Sequence, residues 1–301
     1  MTQPETPEGP ANSTTSAGSA FGADRLLEIA LEGRDMRLLV ADVSSSAFEA
    51  EFRHLSGRLA SETLARAAVA VVLIGADLKN DERLAIQIRT DGPVKGLLAE
   101  VDVDLRFRGY TNVKVLAGLD EGVVRQATAV GPEGRVQLIR STGAQVVYKG
   151  ITALRNGDIA SDLEAALEES TQIPSRMWID HGYDRQLTFA SGALLQAMPG
   201  CSRQEFDELG AEIALRAEAA MPFGRDPEAL VRALLGPDRV FRILRTRTVA
   251  FGCRCSRDKV VGILKQLGPP PETGEYPEES RVTCAFCSDL FTVSREELSA
   301  P

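Results

Sequence analysis

The chain has 301 residues, of which 44% are hydrophobic, so it can fill one large core or two to three smaller domains. Its formal net charge of −9 argues against a nucleic-acid partner bound through phosphate contacts. Residues 1–24 contain neither Lys nor Arg, and the longest apolar run, Ala67 to Ala76, is too short to span a membrane. We therefore expect a cytoplasmic protein without a secretory or transit signal, a nucleic-acid partner or a membrane partner.

The N-terminal residues 1–23 are predicted to form a disordered tail. They are rich in Pro, Thr, Ser and Gly and cannot bury enough apolar surface to offset the entropy lost on ordering. A core domain over residues 24–200 follows. Its first elements are a strand at Arg37–Val43 and a short polar helix from Ala47 to His54, which would place this histidine on the surface.

A long buried helix and a series of strands make up the rest of the core domain. Ser61 is the predicted N-cap of the helix, which would end near Leu78. The strands alternate apolar and polar residues between turn signals, which predicts an α/β domain with a mainly antiparallel sheet, α+β in fold class. These elements are Leu84–Thr90, Val94–Val103, Arg135–Thr142, Gln145–Thr152, the amphipathic helix Ile159–Glu169, Arg176–Asp180 and Ala190–Met198. Turns are expected at Asp91–Pro93, at Arg108–Tyr110 and at His181.

A helical linker is predicted over residues 201–247. Its apolar density is lower than that of the core domain, with one helix at 203–219 and a second, Pro227–Leu235, capped by Asp226. The sequence leaves open whether this region is an ordinary helical subdomain or a metastable linker. The segment from Val240 to Val249 is extended and leads directly into a group of cysteines.

Four of the five cysteines lie in the last predicted domain, residues 248–301. One residue separates Cys253 from Cys255, and two separate Cys284 from Cys287. Two such pairs resemble a four-thiolate zinc site, because paired cysteines in a reducing cytoplasm more often bind metal or sense oxidants than form structural bridges. We therefore predict that the four cysteines bind one zinc ion, either in a purely structural knuckle or in a redox switch.

The cysteine motifs resemble those of a known family. Gly252-Cys-Arg-Cys-Ser-Arg257 together with Val282-Thr-Cys-Ala-Phe-Cys287 resembles the thirty-three-kilodalton heat-shock chaperones, the redox-regulated bacterial holdases. The resemblance extends from Asp24 to Leu298. Upstream segments similar to the family are Lys79–Ile88, Asp91-Gly-Pro93, Arg108-Gly-Tyr110 and Gly192–Pro199.

The resemblance implies an ATP-independent chaperone rather than an enzyme, in which a zinc domain holds a helical linker down on the N-terminal domain. The reduced protein would bind one zinc ion and be inactive. Oxidation would form the disulfides Cys253–Cys255 and Cys284–Cys287 and release zinc. The linker would then unfold and expose apolar surface to unfolding client proteins, often in a homodimer.

Two features depart from the usual family pattern. The segment Gly268–Glu275 is more loop-like than usual, and Ser288 stands where the family usually has glycine. Neither change removes a predicted ligand, but either could alter how readily zinc is lost.

The surface that activation would expose has two predicted sources. One is the linker helix face that carries Phe206, Leu209 and Ile213, and the other is the sheet surface beneath it. A folded monomer rarely leaves a large apolar patch uncovered, so we expect this surface to be hidden at rest.

Two other interpretations of the cysteines have to be considered. The main alternative is a constitutive zinc-stabilised adaptor that binds a protein or RNA partner without redox control. A thiol oxidoreductase is disfavoured, because its Cys-x-x-Cys would open a helix, whereas Cys284 follows a loop. The fifth cysteine, Cys201, is predicted to be an incidental free thiol.

Overall fold

The structure is a computed structural model that describes residues 22–122 and 124–300. The predicted tail at 1–23 therefore lies outside the described residues except for its last two positions. Within the described ranges the chain forms a mainly antiparallel sheet with helices and a C-terminal four-cysteine unit. This arrangement confirms the predicted α+β fold class.

Twelve strands and eight α-helices can be followed along the described residues. The strands are β1 (Asp24–Leu31), β2 (Met36–Asp42), β3 (Glu82–Thr90), β4 (Gly96–Asp102), β5 (Arg106–Thr111), β6 (Gly134–Thr142), β7 (Gln145–Ala153), β8 (Ser175–Asp184), β9 (Gln186–Ala197), β10 (Phe241–Phe251), β11 (Glu279–Thr283) and β12 (Leu290–Ser294). The helices are α1 (Ser44–His54), α2 (Arg58–Ile74), α3 (Gln126–Val130), α4 (Ile159–Thr171), α5 (Arg203–Ala220), α6 (Pro227–Leu235), α7 (Arg257–Leu267) and α8 (Arg295–Ser299).

Ten strands form one sheet in the order β7-β6-β3-β4-β5-β10-β1-β2-β9-β8, and β11 pairs separately with β12. Strand β10 pairs with β1 along most of its length in antiparallel register. Its contact with β5 is parallel and covers only Ala250 with Arg106 and Phe251 with Phe107. The strand that leads to the cysteines therefore lies inside the sheet, and the predicted linker boundary after residue 247 falls within it.

Helix α2 fills the core on one face of the sheet. Its Ala- and Val-rich sequence allows close approach to the strands, and Val69 and Leu73 have no solvent exposure. The span Arg58–Asp77 has the length and apolar composition of a membrane helix, but 89% of its apolar window is buried inside the protein. This burial is what a core helix of a folded domain requires.

Helices α5 and α6 cover the opposite face of the sheet. Phe206, Leu209 and Ile213 of α5 are buried in a second apolar cluster with side chains of β1, β2 and β9. Successive side chains of a strand point to opposite faces, so Leu26 of β1 packs on the α2 side and Leu27 on the α5 side. The apolar face of α5 is hidden, as the sequence predicts.

The predicted helix starts have different outcomes. Asp226 caps α6 as predicted, since its side chain accepts hydrogen bonds from the first turn of the helix. The predicted Ser61 cap was wrong, because α2 begins after Gly57 and Ser61 lies within the helix. Asp120, from a distant loop, instead accepts the N–H of Leu59 at 2.8 Å, so no local cap is needed.

Three positions predicted to be turns or surface are part of the sheet or its core. Arg108–Tyr110 lies within β5 rather than in a turn, and a Cβ on Gly109 would lie 2.8 Å from the Leu98 carbonyl oxygen. This glycine therefore permits close packing of strands rather than chain reversal. His181 lies within β8, and His54 is buried with 5% exposure instead of lying on the surface.

Candidate metal centre

The four cysteines lie in a small C-terminal unit that follows β10. Cys253 and Cys255 come directly after that strand, and Cys284 and Cys287 lie in the turn between β11 and β12. Helices α7 and α8 pack on this pair of strands. The unit has its own small buried cluster, formed by Val260, Val293 and Leu298.

The four sulfur atoms lie within 4.8 Å of one another. The Cys253 and Cys284 sulfurs are 3.7 Å apart, those of Cys255 and Cys287 are 3.3 Å apart, and all four thiols are free. Four sulfurs in tetrahedral arrangement around zinc, at about 2.3 Å each, lie about 3.8 Å from one another. The observed spacing therefore fits a tetrahedral metal ion, and all four predicted ligands are brought together.

The thiols differ in how readily they ionise. Burial raises the pKa of Cys255 to about 11 and that of Cys287 well above its usual range. Burial also opposes ionisation of Cys253, but hydrogen bonds from the Cys255 backbone and from neighbouring thiols lower its pKa overall. Four thiolates this close repel one another unless a cation neutralises them, so this donor set suits a divalent metal.

A tight turn shapes the second cysteine pair, and we call residues 284–289 the cysteine knuckle. The Cys284 N–H donates to the Asp289 carbonyl at 2.9 Å, and the Ser288 N–H donates to the Cys284 carbonyl at 2.9 Å. Ser288 has a φ of 59°, in the left-handed region that favours glycine. A serine in this strained conformation thus lies next to the candidate ligand Cys287.

The aromatic residue of the knuckle contacts the core sheet. The Phe286 ring lies with its centre 4.0 Å from the guanidinium carbon of Arg108 and 5.2 Å from the Tyr110 ring centre. The two rings meet edge to face at 78°, the favoured arrangement for an aromatic pair. Phe286 stands between two candidate ligands, so its position depends on the conformation of the metal-binding turn.

A buried histidine holds the knuckle through Ser288. His54 Nε2 lies 2.9 Å from the Gly109 carbonyl, which can only accept, so this nitrogen carries the proton. His54 Nδ1, 3.0 Å from Ser288 Oγ, then accepts the serine proton, while Lys114 donates to the same oxygen at 3.2 Å. Burial lowers the pKa of His54, which keeps the ring neutral and preserves this pattern.

Two arginines form ion pairs between the unit and the core. Arg254, between the first two cysteines, pairs with Glu100 and lies 3.5 Å from Asp102. Arg53 of α1 donates to Asp289 at 3.1 Å. These contacts join both cysteine segments to the same region of the core.

Sequence reasoning found the four sulfurs but missed the residues that dock them. His54 was predicted to be exposed, and the Arg108-Gly-Tyr110 motif was interpreted as a turn. Phe286 was visible only as the spacer of a Cys-x-x-Cys. Cys201 lies apart from the cluster, against the buried side chains beneath α5 and α6. The cluster contains neither of the chain's two histidines.

A model of the protein family described as "Hsp33 protein" matches residues 24–294. The chain belongs to the Hsp33 family. Relatives named 33 kDa chaperonin in Bacillus cereus (strain AH187) and Bacillus anthracis (strain A0248) are each 31% identical to it over 280 residues. The matched region covers 90% of this chain and 95% of each relative. The predicted resemblance is therefore confirmed, and the chain is a member of a chaperone family.

A solved Hsp33 structure has the same fold. The crystal structure of the 33 kDa chaperonin (heat shock protein 33 homolog) from Thermotoga maritima matches with a TM-score of 0.76 and 23% identity. The match covers 92% of this chain and 96% of the other. At this identity the likeness establishes the fold alone, so the action of this Hsp33-family site has to be argued from its own residues.

Proposed function

We propose that the chain is a redox-regulated, ATP-independent holdase that binds unfolding proteins under oxidative stress. The observation that carries this proposal is the grouping of the four cysteine sulfurs beside the contact between the C-terminal unit and the core sheet. A chemical change at the sulfurs would therefore act where it can alter docking of the unit. The proposed activity holds clients without turning them over, so the protein would not be an enzyme.

In the reduced protein, Cys253, Cys255, Cys284 and Cys287 are proposed to hold one Zn²⁺. Four thiolates are a common donor set of structural zinc sites, and soft sulfur ligands disfavour magnesium and calcium. When bound, the ion would supply folding free energy to a unit whose own buried cluster is small. Neither histidine is part of the proposed ligand set.

Oxidation is proposed to form the disulfides Cys253–Cys255 and Cys284–Cys287. Each pair of thiolates gives up two electrons, and one peroxide molecule accepts them with two protons and becomes two molecules of water. The short sulfur contacts at rest run between the pairs rather than within them. Bond formation within each pair therefore requires the two segments to rearrange, which would loosen the unit as it is oxidised.

The rearrangement is proposed to free the cover of the core sheet. Residues 24–200 would stay folded as the chaperone core, while residues 201–247 act as the linker and residues 248–301 as the zinc-binding domain. The connection is direct, because β10 leads into the first cysteine pair; this strand pairs with β1 along most of its length but with β5 through only two residue pairs. Loss of order in the unit would then weaken β10 first and afterwards α5 and α6.

Unfolded or partly unfolded proteins are the proposed partners, held by the apolar surface beneath α5. The face of α5 that packs on this surface is the second proposed source, and it carries Phe206, Leu209 and Ile213, all buried at rest. Two activated chains exposing such surface would also associate, so we propose a homodimer in the oxidised state and action in the cytoplasm, where zinc thiolates stay reduced until stress.

One experiment tests this function. Aggregation of a thermally unfolding client is followed by light scattering with reduced and with peroxide-treated protein, while a chelating dye reports zinc in the same samples. We expect suppression of aggregation only in the samples that have released zinc. Equal behaviour of the two forms would instead support the constitutive adaptor.

A further inference from the structure

The core surface beneath the cysteine knuckle recognises side chains of the knuckle, not only its backbone. We call this surface the knuckle seat. It receives three residues of the knuckle, Phe286, Ser288 and Asp289. The seat consists of Arg53, His54, Arg108, Tyr110 and Lys114.

The aromatic part of the seat is held in place by the core itself. Both Glu100 carboxylate oxygens accept hydrogen bonds from Arg108 at 3.2 Å, which fixes the guanidinium group on the strand. This group and the Tyr110 ring both contact the Phe286 ring. Because Glu100 and Arg108 lie on β4 and β5, this subsite does not depend on the knuckle for its shape.

The polar part of the seat is cationic. Arg53 donates to Asp289 and is itself positioned by Glu49 at 2.6 Å. Lys114 donates to the neighbouring Ser288 hydroxyl at 3.2 Å. A segment that carries an acidic residue at the Asp289 position is therefore attracted, and a basic residue there would meet two positive charges.

We propose that the knuckle seat, once the knuckle has left it, binds client segments that present an aromatic side chain followed three residues later by an acidic one. The spacing is that of Phe286 and Asp289, so the knuckle occupies at rest the place that a client takes after activation. This inference rests on the proposed holdase function, because the seat must be vacated by oxidation. Cation–π and edge-to-face contacts favour an aromatic side chain over an aliphatic one at the first position.

The test uses the full-length protein and a fluorescein-labelled peptide of residues 281–292 with Cys284→Ser and Cys287→Ser. Fluorescence anisotropy should show binding to peroxide-oxidised, zinc-free protein and none to the reduced, zinc-loaded form. Peptides that also carry Phe286→Ala or Asp289→Lys should bind at least about tenfold more weakly. Equal binding of the parent and Phe286→Ala peptides, or no binding at all, would overturn the proposal.

A matched pair of protein variants distinguishes peptide binding at the knuckle seat from binding to other surfaces that oxidation exposes. Arg108→Gln should weaken peptide binding by at least about tenfold, whereas Arg140→Gln should not. Arg140 also pairs with a carboxylate on an adjacent strand, Glu82 at 2.6 Å, but lies outside the seat. Unchanged peptide binding in Arg108→Gln overturns the proposal. If Arg108→Gln does not fold, Tyr110→Leu is used in its place, and unchanged binding in that variant likewise overturns the proposal.

Client aggregation is measured on the same samples to keep the two proposals distinct. If oxidised protein suppresses aggregation but does not bind the peptide, the proposed holdase function stands and the proposal that the seat binds clients is overturned. Oxidised protein that does not suppress aggregation overturns the holdase function, and the anisotropy alone then decides whether the vacated seat recognises the peptide.

Discussion

The guanidinium carbon of Arg108 lies 4.0 Å from the centre of the Phe286 ring. Arg108 belongs to the core sheet, whereas Phe286 stands between two candidate metal ligands in the Cys284–Cys287 turn. One contact therefore joins the conformation of the metal-binding turn to the part of the sheet that borders β10. We therefore expect a change at the sulfurs that reshapes the turn to alter how the C-terminal unit docks.

Replacing Phe286 should separate docking from metal binding. Phe286→Ala keeps all four sulfurs, so we expect unchanged zinc stoichiometry. The equilibrium constant for docking of the C-terminal unit on the core should fall by roughly tenfold. Peroxide should then release zinc faster than in the parent protein. Leu290→Ala, an exposed apolar residue of the same unit, is the control and should release zinc at the parent rate. Parent-like kinetics in Phe286→Ala would show that the ring does not hold the unit in place.

Two arginines of one motif are predicted to act differently. Arg254→Gln removes the ion pairs with Glu100 and Asp102 of the core and should weaken docking by roughly 1.5–3 kcal/mol, as expected for hydrogen bonds to charged groups. Among the described residues, Arg257 forms its ion pair with Glu297 inside the unit, and the two side chains are 51% and 38% exposed, so Arg257→Gln should change docking little. Protease sensitivity of the intact zinc-loaded proteins compares the two variants. Equal protease sensitivity of the two variants would show that the ion pairs of Arg254 do not stabilise docking of the unit.

Docking should weaken in mild acid because of His54. Burial lowers the pKa of this ring below its usual value of about 6.5, so the docked state binds fewer protons than the undocked state. The contribution of neutral His54 to docking is therefore complete when the pH is above the usual histidine pKa. It is lost as the pH falls through the lowered pKa of the docked state. The positive charges of Lys114 and Arg53 also lower the pKa of His54, because they oppose the added charge on the ring.

The measurement is the zinc-release rate between pH 7.5 and pH 5.5 under mild peroxide. Protonation of the cysteines accelerates release in every variant, so the comparison is between the parent and His54→Gln. The parent should show the steeper pH dependence, and His181→Gln, which alters a histidine that faces Glu62 of the core at 3.7 Å, should match the parent. If the zinc-release rate of His54→Gln depends on pH as steeply as that of the parent, His54 does not cause the weakening of docking in mild acid.

The metal ligands are tested by cysteine replacement. We expect one zinc per chain in the parent and in Cys201→Ser, since Cys201 lies outside the sulfur cluster. Cys284→Ser should lose zinc and show holdase activity without full oxidation. Loss of zinc in Cys201→Ser would show that the ligand set is wrong, and an inactive, zinc-free Cys284→Ser would show that the unit does not hold the cover down.

The parts of the molecule that local sequence determines were predicted well. Alternating strands, the helix cap at Asp226 and the four-cysteine group depend on residue type and short spacing. The docking contacts depend on residues far apart in sequence, such as His54 and Ser288, which no local pattern connects. Gly109 resembled a turn residue because glycine marks both turns and close strand approach. The central place of β10 likewise follows from long-range pairing with β1.

Hydrogen exchange on reduced and oxidised protein tests the central claim most directly. Burial contributes only about 25 cal/mol per Å², so the cover that α5 and α6 form on one face of the sheet can be released without unfolding the core. We predict that oxidation removes protection across residues 203–301 and leaves it intact across residues 84–198. Uniform loss over the whole chain, or loss confined to residues 248–301, would contradict an account in which the cysteine unit holds down a removable cover.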